Sequence, residues 1–223
     1  IKKGAIYGLV GRNGAGKTTL IRIITGLQSP SNGYYELFNI SSKTKKITEF
    51  RKDVGAIIER PSLIENMTAK ENLIEQLKLV GIHQFNNVNN LLELVGLSNA
   101  NKKQVKNFSL GMRQRLGIAV ALCSNPKFII LDEPINGLDP EGIIDIRKLI
   151  QKLNKEQGIT FLISSHYLDE LSKIATDYGF INESQIIKEI SAEEFNSNKH
   201  NQIKIIVDNP EIAEKYFKSK NIR

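Results

Sequence analysis

The chain has no tryptophan, one cysteine, two methionines and six prolines among its 223 residues. A single thiol, Cys123, can form no internal disulfide, and its apolar neighbours read as a buried thiol of a reducing compartment. No apolar run approaches the ~20 residues of a membrane span, and no signal peptide is recognisable. The expectation is a cytoplasmic protein that could sit on a membrane partner. The charge balance is +7, from 31 basic and 24 acidic residues. That excess suits a polyphosphate ligand, an anionic surface or nucleic acid alike. No basic tract carries interleaved aromatics, so nucleic acid is not an expected partner. There is no 20–50-residue repeat, and the polar run NNVNN at 86–90 is a short loop at most.

What is present begins with GRNGAGKTT at residues 11–19. A short apolar run at 5–10 precedes it, as in a strand buried on both faces. Leu20, Ile23, Ile24 and Leu27 follow at helical spacing, with Gly26 as the stop. A glycine-rich turn from strand to helix, of form G-x-x-x-x-G-K-[ST], is a phosphate-binding P-loop. Gly11, Gly14 and Gly16 free the backbone of Arg12, Asn13 and Ala15 to point amides at phosphate oxygens. The helix start through Thr19 favours the same charge. Lys17 supplies a cation for the outer phosphates, and the Thr18 hydroxyl is placed to ligate Mg²⁺. The ligand is a nucleoside triphosphate.

The remaining pattern alternates strands with helices. Strands are expected at 34–40, 54–59, 128–131 and 160–163. Helices are expected within 68–97 and over 111–123, 142–153 and 167–175, with Ser109 as a cap for the second. This order implies an α/β fold with a parallel sheet and its ligand at the strands' C-terminal ends. The stretch 61–126 holds no convincing strand and reads as a helical subdomain inserted into the core. The core domain is expected over 1–190. A partial C-terminal α/β appendage over 191–223 would have a strand at 202–208 and a helix opening near Pro210.

The strand FIILD at 128–132 runs straight into Glu133. It delivers two carboxylates to the ligand edge: Asp132 to hold Mg²⁺ through water, Glu133 to take a proton from attacking water.

Between these motifs lies NFSLGMRQR at 107–115, which resembles the LSGGQ signature of ATP-binding cassette (ABC) ATPases. Asn136, Gly137, Leu138 and Asp139 resemble the family's D-loop, and Ser164, Ser165 and His166 its switch-histidine segment. Glu59-Arg60-Pro61 stands where the family has its Q-loop. The resemblance covers about 1–183. It implies a head-to-tail pair of cassettes, identical or not, enclosing two ATP molecules. Ser109 and Gly111 would complete the partner's site, and Asp139 would act across the interface. His166 would donate a hydrogen bond to the γ-phosphate, and Glu59 would reach the nucleotide and its metal.

It also implies membrane-spanning permease subunits as partners and a location on the inner face of the cell membrane. The family's adenine-stacking aromatic and upstream strands have no counterpart in these residues, and Tyr7, inside a strand, does not take that role. Glu for Gln at position 59, with FSLGMRQRLGIA at 108–119, resembles exporters that protect bacteria against lantibiotics and bacitracin-like peptides. The alternative is a non-transport relative acting on ribosomes or DNA. One cassette, and too short a stretch between Lys17 and Ser109 for a long coiled coil, weigh against it.

Overall fold

The computed structural model describes residues 1–100, 102–197 and 216–217. In chain order the elements are β1 (Ile6–Val10), α1 (Lys17–Thr25), β2 (Glu36–Leu37), β3 (Ile40–Ser41), α2 (Ile47–Phe50) and β4 (Val54–Ile57). Then come α3 (Ala69–Leu79), α4 (Val88–Leu94), α5 (Leu110–Leu122), β5 (Phe128–Asp132) and α6 (Pro140–Gln157). The last are β6 (Thr160–Ser165), α7 (Leu168–Leu171), β7 (Asp177–Asn182), β8 (Gln185–Ser191) and α8 (Ala192–Ser197).

Six strands form one sheet in the order β4-β5-β6-β1-β7-β8. The five from β4 to β7 are parallel, and β8 runs antiparallel on the edge. The expected parallel sheet is present, with β8 added antiparallel on its edge. A two-residue turn with φ of +46° at Glu183 and +62° at Ser184 sends the chain straight back as a hairpin. A second such turn corrects the strand expected over 34–40. Phe38 and Asn39 both have positive φ, so the segment folds back as the small β2–β3 pair.

Helix ends follow their local chemistry. Thr68 caps α3 through a reciprocal capping box with Glu71. Ser109 caps α5, its Oγ accepting from Met112 N at 3.2 Å. Asp139 caps α6, which opens with Pro140 and ends at the left-handed Gly158. The helical pattern expected within 68–97 is divided into α3 and α4, with Gly81 turning the chain at φ +81° between them. That expected over 167–175 has only one α-turn, α7.

No strand is assigned within 61–126 among the described residues. This helical run enters between β4 and β5, which are adjacent in the sheet, and α3, α4 and α5 pack on one another. The core lies where α1 and α5 cover the sheet. Leu9, Ile21, Leu116, Ile129, Ile130, Leu131 and Phe161 are each fully buried, and each such side chain is worth about 1.5–3 kcal/mol of transfer free energy. The chain divides into compact units Ile1–Ala192 and Glu193–Arg223. The strand expected at 202–208 and the helix start at Pro210 lie outside the described residues.

Candidate functional site

The sheet order puts the chemistry together. β1, β6 and β5 are consecutive neighbours, and their C-terminal ends are in register. Val10 pairs with Ser165, and Ser164 pairs with Asp132. Neighbouring strands lie about 4.8 Å apart, so the P-loop, the Asp132–Glu133 pair and His166 leave one edge within a single phosphate chain's reach.

The P-loop closes over its own backbone. Gly16 caps α1 at φ +100°, a conformation that glycine adopts without strain. A Cβ on Gly11 would lie 2.6 Å from the Ile181 carbonyl oxygen of β7, so a side chain there has no room. Lys17 is buried, with Nζ donating to the carbonyls of Gly11 at 2.7 Å and Arg12 at 3.2 Å. Its Nζ also lies 3.1 Å from Glu133 Oε1. That contact is close enough for charge attraction but is not aligned as a hydrogen bond, so buried Oε1 keeps its acceptor capacity open.

Asp132 is 1% exposed and uses both oxygens. Oδ2 accepts from Thr18 Oγ1 at 2.7 Å, and Oδ1 accepts from Ser164 Oγ. Ser164 Oγ in turn accepts from Glu133 N at 3.0 Å. Ser164 therefore fixes both acids. The sequence placed it only inside the switch segment; its pairing position opposite Asp132 is what assigns the role. Glu133 follows at φ +50°, left-handed and costly for a non-glycine residue. Its second oxygen, Oε2, lies 2.9 Å from His166 Nδ1. The His166 ring itself lies against Tyr167 in a tilted contact, with centroids 3.9 Å apart.

A cleft of about 770 Å³ opens over these groups, lined by Thr18, Glu59, Arg113, Gln114, Asp132 and Glu133 among others. Glu59, at φ +62°, joins Thr18 and Asp132 in the wall, but its carboxylate is paired with Arg22 at 2.7 Å. Leu110, at the tip of α5, also reaches the cleft. None of the hydrogen bonds among the described residues joins Ser109 or Gly111 to residues 11–19; the Ser109 oxygen caps its own helix. The D-loop packs on this same tip, since a Cβ on Gly137 would lie 3.3 Å from Leu110 Cδ2. Asp139 faces its own helix, Oδ1 accepting from Gly142 N at 3.0 Å.

For a metal, the donor chemistry fits Mg²⁺. A hydroxyl and a carboxylate stand together, both hard oxygens, with no cluster of three or more acidic, His or Cys ligands among the described residues. Mg²⁺ is held in this way, by one or two protein oxygens plus phosphates and water.

Comparison with known proteins agrees with this geometry. Residues 1–136 match the family described as ABC transporter. The chain is 49% identical over 85% of its length to the bacitracin transport ATP-binding protein BcrA of Bacillus licheniformis, of which it spans 62%. It is 45% identical over the same share to the lantibiotic transport ATP-binding protein SrtF of Streptococcus pyogenes, spanning 80% of that protein. Among solved structures, cbiO1 of Clostridium perfringens, part of the cbiONQ transporter complex, superposes with a TM-score of 0.79. Its sequence is 28% identical, and the match covers 89% of this chain and 82% of that one. The cassette MJ0796, seen as a dimer with ADP and Pi, superposes at 0.75 with 26% identity, covering 86% and 87%. With a family match over more than half of its length and 45% identity to a relative of which it spans 80%, the chain belongs to the ABC transporter family.

Proposed function

We propose that this chain is the ATP-hydrolysing subunit of an ABC exporter that protects a bacterium against antimicrobial peptides. The observation that carries the hydrolytic part is the buried Oε1 of Glu133, which faces Lys17 Nζ at 3.1 Å and keeps its hydrogen-bond acceptor capacity open. A triphosphate on the P-loop would draw the Lys17 ammonium from the backbone carbonyls to its outer phosphates. Thr18 and Asp132 would hold Mg²⁺, which neutralises charge developing on the β- and γ-oxygens. Glu133 accepts the proton of the attacking water, and His166 orients Glu133 through Nδ1; donating from Nε2 to the γ-phosphate at the same time requires the imidazolium, with a proton on each ring nitrogen.

Among the described residues Ser109 and Gly111 make no hydrogen bond to residues 11–19, and the Ser109 oxygen caps the start of α5. This supports the reading that they complete the site of a second cassette, homo- or heterodimeric. ATP binding would then close the pair and hydrolysis would reopen it, a two-state switch biased by the γ-phosphate. Membrane-spanning permease subunits would convert that cycle into export, with this chain on the inner face of the membrane.

The peptide-protection reading rests on identity to BcrA and SrtF together with Glu59 in the Q-loop position. Its test is susceptibility to bacitracin and to a lantibiotic in a sensitive strain carrying the full protein and its membrane partners. Protection that disappears with Lys17→Ala is expected. Unchanged susceptibility, with ATP hydrolysis intact in the purified protein, would overturn the exporter reading and leave the ATPase reading standing.

A further inference from the structure

Helix α1 carries Thr18 and, four residues on, Arg22. Positions i and i+4 share one helix face, so both side chains look toward the same wall of the cleft. Thr18 donates to Asp132 at 2.7 Å, and Arg22 Nη2 donates to Glu59 Oε1 at 2.7 Å. Glu59 therefore lines the same cleft as the oxygen pair suited to Mg²⁺, tied to the next turn of α1, in a backbone conformation disfavoured for a residue with a side chain. Arg60 and Arg113 also line the cleft, but Arg113 is engaged by Glu65 at 2.8 Å, and among the described residues no ion pair joins Arg60 to Glu59. Arg22 is thus the counter-charge that Glu59 meets on α1.

Building on the ATPase reading above, we propose that Arg22 is a positioning residue that competes with the divalent cation for Glu59. Arg22 offsets the charge of Glu59, a further acid in the cleft that Asp132 and Glu133 also line. When a divalent cation is bound, Glu59 is attracted toward it and the hold of Arg22 is opposed. The pair is half-exposed, with side-chain accessibilities of 46% and 61%. Exposed pairs of this kind are weak, which suits a latch that a doubly charged ion can open. A Gln at 59 would carry no charge, so Arg22 would lose its ion-pair partner and the latch would vanish.

The test reads binding of a fluorescent, non-hydrolysable ATP analogue across a Mg²⁺ titration. Wild type, Arg22→Ala, Arg22→Lys, Glu59→Gln and Arg22→Ala/Glu59→Gln are compared. Removing Arg22 should lower the half-saturating Mg²⁺ concentration about two- to five-fold, the size an exposed ion pair supports. Arg22→Lys should restore most of the wild-type value. In the Glu59→Gln background the Arg22→Ala shift should vanish. An equal shift in both backgrounds is what the Arg22 charge alone would give, and would overturn the proposal, as would no shift in either. Lys17→Ala is the control for the underlying reading. If it leaves nucleotide binding intact, the P-loop assignment fails and this inference fails with it.

Discussion

Glu133 Oε2 and His166 Nδ1 lie 2.9 Å apart, while Glu133 Oε1 faces Lys17 at 3.1 Å with its acceptor capacity open. One carboxylate thus has a fixed end and a working end. Glu133→Gln keeps the shape but cannot take a proton, so turnover should fall roughly 10²- to 10⁴-fold with nucleotide affinity retained. His166→Ala releases the fixed end and should also slow turnover, with little change in binding. Steady-state ATPase assays beside equilibrium binding separate the two effects. Near-normal hydrolysis by Glu133→Gln would remove it from the base role.

The composite site predicts complementation between defective subunits. In a mixed pair, Lys17→Ala removes the phosphate cation from one site, and Ser109→Arg in the partner subunit blocks the helix start offered to that same site. A mixed dimer then holds one site with both defects and one with neither. Mixing the two purified variants should restore measurable hydrolysis, where each alone has almost none. Rescue absent at concentrations that support wild-type activity would count against a shared site.

What the sequence made legible divides along a physical line. The P-loop and the FIILD strand were readable because each is a contiguous run whose backbone does the work, and the Ser109 cap because its hydroxyl bonds an amide only three residues on. β7 and β8 were missed because β8 is exposed along most of its length and shows no apolar alternation. Its turn, at Glu183 and Ser184, has no glycine to mark the positive φ. The same reason spoiled the strand at 34–40, where Phe38 takes a conformation that bulky residues rarely adopt. Ser164's bridge between Asp132 and Glu133, and the Arg22–Glu59 pair, join residues far apart in the chain. Only the strand order and the packing of α1 bring them into contact.

Gly117, inside α5, packs against the loop that carries Glu59. A Cβ at this position would lie 2.6 Å from Pro61 Cβ and Cγ and 3.2 Å from Ile57 Cδ1. In a free helix Gly→Ala gains about 1 kcal/mol, but overpacking typically costs about 1–3 kcal/mol. The clash should win, because Pro61 is a stiff ring on the neighbouring chain segment. Gly117→Ala is expected to destabilise by about 1 kcal/mol net, lowering Tm by roughly 2–4 °C for a chain of this size. A rise in Tm would mean that the 59–61 loop yields freely, which would loosen the case for a fixed Glu59.

Cys123 gives the last prediction. Its thiol is buried at the C-terminal cap of α5, Sγ within 3.5 Å of the Ala119 carbonyl, and burial pushes its pKa up from an ordinary 9.0 to about 12. The thiolate is the nucleophile, so at pH 8 alkylation by iodoacetamide should be at least about 100-fold slower than for an unfolded thiol. Adding denaturant should restore the ordinary rate. The same shift sets a pH dependence. Below pH 9 both folded and unfolded chains keep the thiol protonated and the stability contribution is full. Between about 9 and 12 the unfolded chain loses its proton first, so stability falls as pH rises, by up to about 1.4 kcal/mol per pH unit from this group. Burial also raises Tyr7 and Tyr178, so the share due to Cys123 is read as the difference from Cys123→Ala. Denaturant unfolding of both proteins at pH 8 and pH 10 measures it, and the variant should lose less stability over that interval. Equal losses, or fast alkylation of the native chain, would show that the thiol is reached by water in the folded state.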